Sequence, residues 1–236
     1  LAAEGSVPTE GPTDLLELSS AEPTAVAVER IGIYLESAGV LGRRTAEMHA
    51  ALGSGTGVFV REPLVSGDLA GLAAEFRNHA TGVLATLRQG LAGLPDDVVA
   101  HAGLVLSRRQ HILDRFEALT RLGPGIVRTR IHGDYHLGQV LRARHDYVII
   151  DFEGEPARSL AERRGKHSPL KDVAGMLRSF SYAAWVGLNN HVSRRADGAE
   201  RLVAWAAFWE REVSAAFLRG YRHGIAGSGL WPDRKS

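Results

Sequence analysis

Residues 132–139 read His-Gly-Asp-Tyr-His-Leu-Gly-Gln, and residues 151–153 read Asp-Phe-Glu. Asp134 stands five positions before Gln139, so a carboxylate and an amide share one short loop. The apolar run before the second stretch has the composition of a strand, and it ends on Asp151. Carboxylate and amide oxygens suit Mg²⁺, and an ionised carboxylate also accepts protons from hydroxyl groups. The pattern predicts a catalytic loop followed by a strand that delivers a metal ligand.

This spacing is typical of phosphoryl transfer. The kinase pattern H-R-D-x-x-x-x-N places a proton-accepting Asp five positions before a metal-binding amide, and the Asp of D-F-G supplies a further metal ligand. By that comparison Asp134 is the catalytic base, while Gln139 and Asp151 bind Mg²⁺ and, through it, ATP. A lone H-G-D is more often a turn. Two further ligands at kinase-like intervals favour phosphoryl transfer over coincidence.

Three departures separate the pattern from protein kinases. Gly133 replaces Arg, Gln139 replaces Asn, and Glu153 replaces the Gly of D-F-G. The loop instead resembles small-molecule kinases of the aminoglycoside-phosphotransferase type, whose catalytic loops carry H-G-D followed by His and a metal-binding amide. This resemblance implies a nucleotide-binding transferase that uses ATP and Mg²⁺.

Longer segments carry a narrower resemblance. Residues 132–141, 150–156 and 168–180 resemble actinobacterial maltokinases, and weaker similarity runs from about Leu41 to Tyr221. The resemblance implies phosphorylation of maltose to maltose 1-phosphate, which feeds α-glucan (glycogen) synthesis from trehalose. It also implies a partner to test for, a trehalose synthase that associates with this protein or is fused to it.

Two other classes stay open beside maltokinase. One is another small-molecule kinase of the same fold, such as a glucosamine kinase or an aminoglycoside phosphotransferase. The other is a non-catalytic pseudokinase or interaction module. The intact set of Asp134, Gln139 and Asp151 argues against the pseudokinase, because metal ligands have no clear use in a scaffold.

Four further residues are candidates for contact with the acceptor. Arg178 and Tyr182 are one helical turn apart and are expected to line one sugar pocket. His136 has two open roles, orienting the acceptor or packing. Glu153 also has two, pointing into the acceptor cleft or forming a salt bridge with Arg178.

Two polar residues are predicted to support the loop instead. His132 is expected to hold it against Asp151 or nearby backbone. Asp172, near the start of a predicted helix, has the position of a helix cap. In kinases of the resembling type, an Asp at this motif instead braces the catalytic loop.

The predicted fold is mainly α with a small β-hairpin or sheet carrying the catalytic loop, as in the C-terminal lobe of a protein-kinase-like (aminoglycoside phosphotransferase-like) fold. Aromatic residues along the last predicted helix are expected to pack against neighbouring helices in the protein core. Helices are predicted over residues 24–52 with a bend near Gly39, 67–92, 95–122, from 169 past Trp185, and 198–224, and a strand over 126–131.

Residues 1–23 are polar and interrupted by Gly and Pro, so they are predicted to be a linker from a missing N-terminal lobe. Residues 24–236 then form the helical C-terminal lobe, with the catalytic loop at 132–139 and the metal-binding segment at 151–153. No strand like V-A-I-K occurs, and the three lysines all follow the catalytic loop. We expect the chain alone to bind nucleotide poorly and to turn over little or nothing.

Composition excludes several other classes. The chain has 236 residues, 44% hydrophobic and 23% charged, which is ordinary for a soluble globular protein. A net charge of +1 without a long basic run argues against nucleic acid as a partner. The absence of cysteine excludes disulfides and thiolate metal sites. No apolar stretch reaches the roughly 18 residues that span a bilayer, so no membrane partner and a cytoplasmic location are expected.

Overall fold

The structure is a computed structural model that describes residues 14–123, 125–192 and 199–231. The chain divides into two compact units. Among the described residues, the first comprises 14–62 and 127–231 without the gap at 193–198, and the second comprises 63–126 without residue 124. Residues 132–139 and 151–153 both lie in the first unit.

Helices dominate both units, and the strands are short. The helices are α1 (Leu15–Leu18), α2 (Ala25–Ile31), α3 (Ile33–Leu52), α4 (Ser66–Gly90), α5 (Asp96–Ser107), α6 (Arg109–Glu117), α7 (Leu160–Arg163), α8 (Leu170–Val192) and α9 (Ala199–Ile225). Single 3₁₀ turns are Gly57–Phe59, Leu91–Gly93, Ala118–Arg121 and Leu137–Gln139. The strands are β1 (Glu62–Pro63), β2 (Val127–Arg128), β3 (Val140–Ala143) and β4 (Asp146–Ile149).

The prediction of a mainly helical chain with a small β-hairpin is confirmed. β1 pairs with β2, and β3 pairs with β4. The β3–β4 hairpin is antiparallel, with Val140 opposite Ile149. It directly follows the catalytic loop, so the end of the loop and the end of β4 lie side by side. Along the described parts of the chain, no helix is both long and apolar enough to cross a membrane.

The core of the first unit forms where α3, α8 and α9 pack together. Phe217 and Tyr221 of α9 are fully buried, and Met176 of α8 is as well. Glycines allow α3 and α9 to approach closely, because a β-carbon on Gly42 would overlap the backbone of Phe217. Of the aromatic residues of the last helix predicted to be core, Trp205, Phe208 and Phe217 are buried, and Trp209 is half-buried.

The crossing of α3 and α9 predicts a strong response to one added methyl group. A β-carbon on Gly220 would overlap the carbonyl of Gly39, so Gly220→Ala should destabilise the protein by about 1–3 kcal/mol. Gly82 of α4 has open space around it, and Gly82→Ala should stabilise by about 0.5–1 kcal/mol. Urea unfolding followed by circular dichroism measures both. A Gly220→Ala variant as stable as the parent would contradict the close crossing.

Two of the predicted helices are interrupted, and the positions of the two breaks differ from the prediction. The bend expected near Gly39 lies instead at Gly32, whose φ of +54° ends α2. Gly39 lies inside α3, where its role is the close approach of α9. The helix predicted over 95–122 begins after Pro95 as expected but breaks at Arg108.

The strand predicted over 126–131 extends over only two residues, Val127–Arg128. Thr129 leaves it for an isolated bridge with His167. Residues 127–129 therefore pair with two different segments, β1 and His167, and do not form one regular strand.

Part of the predicted linker is folded. Residues 1–13 lie outside the described residues, but Asp14 caps α1, and Leu18 is buried. From α9, Arg219 donates to the carbonyl of Ala21, and Arg222 donates to Ser19 and Ser20. The boundary at residue 23 and the missing lobe stay predictions. The first residue of the predicted last helix, Gly198, also lies outside the described residues.

A bidentate ion pair attaches the β3–β4 hairpin to α3. Arg44 donates to both carboxylate oxygens of Asp146, at 2.7 and 2.8 Å. This hydrogen bonding lowers the pKa of Asp146 to about 2. The pair is solvent-exposed, so its contribution to stability is small.

The lowered pKa of Asp146 gives this contribution a defined pH range. A carboxyl group whose pKa is lower in the folded state stabilises the fold above its unfolded pKa, and the effect disappears as pH falls through the folded value. Asp146→Asn should therefore be slightly less stable than the parent at pH 7, and the difference should vanish near pH 2. Urea unfolding at a series of pH values tests this, and a difference that persists or grows towards pH 2 would contradict it.

The second unit is a small helical assembly of its own. Leu69 and Ala73 of α4 are buried, as is Leu113 of α6. Phe76 and Phe116 pack with their ring centroids 5.7 Å apart.

Candidate active site

The catalytic loop ends in a 3₁₀ turn that directs Gln139 towards the end of β4. The amide of Gln139 donates to the carbonyl of His136 at 2.9 Å, which closes the turn. The amide of Ile150 then donates to the carbonyl of Gln139 at 3.0 Å. Because Ile150 immediately precedes Asp151, this bond places the two predicted metal ligands next to each other.

Gln139 and Asp151 are in direct contact through their side chains. The Nε2 of Gln139 donates to Oδ2 of Asp151 at 3.0 Å. Asp151 has a φ of +63°, a left-handed conformation that Asp tolerates better than most residues. The loop and the strand therefore bring these two side chains together.

The donor atoms of this pair fit Mg²⁺. The amide oxygen of Gln139 and the carboxylate of Asp151 are hard oxygen donors, and Mg²⁺ is usually held by one or two protein carboxylates together with water and substrate phosphates. Among the described residues, no three His, Cys, Asp or Glu side chains converge on an all-protein metal site. A site shared with nucleotide phosphates is the kind that these two residues suit.

His132 joins the loop to the strand, which confirms its predicted structural role. The amide of Asp134 lies 3.4 Å from Nδ1 of His132 and donates to it, so Nε2 carries the proton. That Nε2 donates to the carbonyl of Ile150 at 2.8 Å. The buried imidazole ring also packs against Phe152, with the centroids 5.0 Å apart. One side chain therefore links the backbone of Asp134 to the residue before Asp151.

Asp172 braces the catalytic loop and does not cap its own helix. Its Oδ2 accepts from the amide of His132 at 2.7 Å, and its Oδ1 accepts from the amide of Gly133 at 3.0 Å. The carboxyl group is buried, and its third contact is Nε2 of His49 at 3.1 Å. The two peptide groups before Asp134 are thus held by one carboxylate.

A pocket of about 330 Å³ lies beside the loop. It brings together Asp134 and three of the four predicted acceptor residues. Its lining includes Asp134, His136, Lys171, Arg178, Ser179 and Tyr182.

Within the pocket, the Nε2 of His136 lies 4.0 Å from Oδ2 of Asp134. Ser179 accepts from the amide of Leu137 at 3.0 Å, which ties α8 to the loop. Tyr182 is 71% exposed, so its ring is available to a ligand.

Glu153, the fourth predicted acceptor residue, is not in this lining. Its carbonyl accepts from Arg163 at 3.4 Å. Glu155, another carboxylate of this segment, pairs with Arg158 at 3.4 Å. Neither of the two contacts involves Arg178, because the chain after Asp151 turns towards α7.

Sequence reasoning missed Lys171 and Ser179 as pocket residues. They lie on the face of α8 that also carries Arg178 and Tyr182, so helical periodicity through this segment was a signal that could have found them. His49 had no comparable signal. It stands 123 positions before its partner Asp172.

Comparisons with known proteins point to one kind of enzyme. No protein-family model matches the chain. A glucosamine kinase of Streptacidiphilus jiangxiensis is 30% identical over 187 residues, which are 79% of this chain and 37% of that protein. A glucosamine kinase of Mycolicibacterium smegmatis is 52% identical over 56 residues, 23% of this chain and 14% of that protein.

Solved structures give the same result. A glucosamine kinase in complex with glucosamine, ADP and inorganic phosphate matches with a TM-score of 0.64 at 28% identity, covering 93% of this chain and 49% of that chain. A glucosamine kinase in crystal form B matches with the same TM-score, and the match covers 47% of that chain. This chain thus spans about half the length of the solved chains and less of the curated relatives.

These findings correct the narrower resemblance to maltokinases. The relatives and solved structures described above are glucosamine kinases, so the assignments of maltose as acceptor and of a trehalose synthase as partner were wrong. The motifs of residues 132–139 and 151–153 are compatible with either acceptor, because they concern phosphoryl transfer. The chain resembles glucosamine kinases in its sequence and in its mostly helical fold.

Proposed function

We propose that this chain forms the catalytic part of an ATP-dependent sugar kinase whose acceptor is glucosamine. The observation that carries the proposal is the contact between Gln139 and Asp151, joined through His132 to the loop of Asp134. Similarity to glucosamine kinases supports the acceptor, and the ADP in one similar structure supports the nucleotide.

Each residue of the site has a defined role in this reaction. Asp134 accepts the proton of the attacking sugar hydroxyl as that oxygen bonds to the γ-phosphorus and the bond to the ADP oxygen breaks. Gln139 and Asp151 hold Mg²⁺, which when bound offsets the negative charge of the phosphate groups. His132 and Asp172 keep the loop of Asp134 at the end of β4.

The charges of the pocket suit a sugar with one amine. The lining has two carboxylates, Asp134 and the buried Asp172, and two cations, Lys171 and Arg178. A polycationic aminoglycoside would be repelled by these cations and would need several carboxylates in their place. Ser179 and Tyr182 offer hydroxyl groups that hydrogen-bond with the ring hydroxyls of a monosaccharide.

A panel of acceptors tests the proposal. The protein, as its gene encodes it, is incubated with ATP, MgCl₂ and either glucosamine, glucose, maltose or an aminoglycoside, and products are identified by mass spectrometry. We expect a phosphorylated glucosamine, with kcat/KM at least about tenfold above that for glucose, since a site built for a polar group rejects analogues lacking it. ADP release without a sugar phosphate, or preferential phosphorylation of the aminoglycoside, would overturn the proposal.

The metal assignment predicts a change in the Mg²⁺ requirement. Gln139→Ala removes an oxygen donor and the partner of Asp151, so the Mg²⁺ concentration for half-maximal rate should rise by about tenfold. Gln110 provides a matched control, because its Nε2 donates to Asp114 at 2.7 Å on an exposed face of α6. Kinase rates measured over a Mg²⁺ titration should distinguish the variants. If Gln139→Ala and Gln110→Ala need the same Mg²⁺ as the parent, Gln139 is not a ligand.

A further inference from the structure

A buried chain of hydrogen bonds runs from α9 to the catalytic loop. Tyr221 of α9 contacts His49 of α3, and His49 contacts Asp172 of α8. Asp172 in turn accepts from the amides of His132 and Gly133. Tyr221 and His49 have no exposed surface, and Asp172 is 2% exposed. Solvent therefore does not hydrogen-bond with these groups, and each depends on the side chain next to it in this series of hydrogen bonds.

The donors and acceptors along this chain have fixed directions. An ionised carboxylate only accepts, so the Nε2 of His49, 3.1 Å from Oδ2 of Asp172, carries a proton. In the neutral ring Nδ1 then has a lone pair only. The hydroxyl of Tyr221, 2.9 Å away, donates to it. The opposite tautomer would turn a lone pair of Nε2 towards the carboxylate, which is unfavourable in a buried site.

Two features keep the hydroxyl of Tyr221 in place as a donor. Burial, and secondarily the charge of Asp172, raise the pKa of Tyr221, so the hydroxyl keeps its proton. Its ring is held between Phe217 and Trp231, with centroid distances of 6.5 and 5.8 Å. The position of the hydroxyl is thus set by the packing of α9 and not by the catalytic loop.

We infer that Tyr221 is a positioning residue for the reaction of this site. Its hydroxyl holds His49 in the tautomer and orientation that donate to Asp172, and Asp172 then holds the peptide groups of His132 and Gly133 that precede Asp134. Only the effect of Tyr221 on turnover rests on the proposed function. Its effect on the loop stands independently of any substrate.

Hydrogen exchange of individual amides, measured by NMR, tests the effect on the loop. Tyr221→Phe keeps the ring and removes the hydroxyl, and the amides of His132 and Gly133 should then exchange about tenfold faster, as expected for loss of one buried hydrogen bond. Tyr147→Phe, which removes the hydroxyl of a half-buried tyrosine on β4, should leave both rates unchanged. Equal rates in Tyr221→Phe and the parent would overturn the inference.

A double-mutant cycle tests whether Tyr221 acts through His49. In the His49→Ala background, Tyr221→Phe should cause no further rise in the exchange rates of the two amides. Additive effects of the two changes would overturn the proposed chain. If Tyr221→Phe does not fold, ¹H–¹⁵N correlation of the imidazole nitrogens in the parent protein replaces it. A proton found on Nδ1 in place of Nε2 of His49 would be equally decisive against the inference.

Turnover separates this inference from the proposed function. In an active kinase, Tyr221→Phe should lower kcat by about tenfold and change the KM for sugar and ATP by less than about twofold, because the loop is disturbed but the pocket is not. If the parent phosphorylates no sugar, the proposed function fails while the exchange result still stands. If kcat falls but the two amides stay protected, the inference fails while the proposed function stands.

Discussion

Replacing Asp134 with Asn should lower turnover by about 10² to 10⁴, the range for loss of a positioned proton acceptor, with little change in affinity for the sugar. Asn has nearly the same size and fits the same loop, but its amide cannot take the proton of the attacking hydroxyl at neutral pH. The half-buried position of Asp134 in the acceptor pocket, 4.0 Å from His136, supports this role. Steady-state kinetics give kcat, and calorimetric titration gives the affinity for glucosamine.

The matched control is Asp114→Asn, a change of the same charge on the exposed face of α6. It should leave kcat at the level of the parent. Unchanged turnover in Asp134→Asn would remove Asp134 from the mechanism. A loss of sugar affinity that accounts for the whole effect would assign Asp134 to binding.

Replacing Asp172 with Ala should cause the largest loss of stability of the changes considered. Three donors lose their acceptor at once: the buried amide of His132, the buried imidazole of His49 and the half-buried amide of Gly133. Removing one partner from a buried, charged network of this kind costs about 3–5 kcal/mol. Urea unfolding should show a lowered midpoint with an unchanged slope.

Asp146→Ala provides the comparison for Asp172→Ala, because it removes an exposed carboxylate with a bidentate partner. Its cost should be much smaller than that of Asp172→Ala, because solvent screens an exposed ion pair. Equal losses in the two variants would show that the buried network contributes no more than a surface pair. Asp172→Ala should also lose kinase activity at temperatures where it is still folded, since its loop is no longer braced.

The core of the candidate site could be predicted because its parts are close in sequence. Gln139 and Asp151 lie at the two ends of one hairpin, so local spacing alone determines that their side chains meet. The roles of Arg178 and Tyr182 rested on helical spacing along α8, and the structure places both in one pocket. Local geometry is what a single sequence encodes most directly.

The supporting network could not be predicted, because it is assembled from distant segments. His49 and Tyr221 stand 172 positions apart and meet only because α3 and α9 cross closely. Each looks like an ordinary core residue of an amphipathic helix when taken alone. The contact depends on tertiary packing, which no local pattern contains.

The acceptor was predicted wrongly for a related reason. The motifs at residues 132–139 and 151–153 resemble those by which kinases handle the phosphoryl group and its metal, and kinases with different acceptors share these requirements. The pocket side chains Lys171 and Ser179 lie outside these motifs, so the motifs carry no information about them. The helix breaks at Gly32 and Arg108 were missed because periodicity reports an apolar stripe and not the backbone angles that interrupt it.

The left-handed backbone of Asp151 has a practical consequence for testing the role of its carboxylate. An alanine at this position would lose the carboxylate and would also pay for a φ of +63°, so its inactivity would mix two causes. Asparagine tolerates this conformation nearly as well as Asp does and removes only the charge. Asp151→Asn is therefore the variant that removes the charge of this carboxylate while the hairpin keeps its native shape.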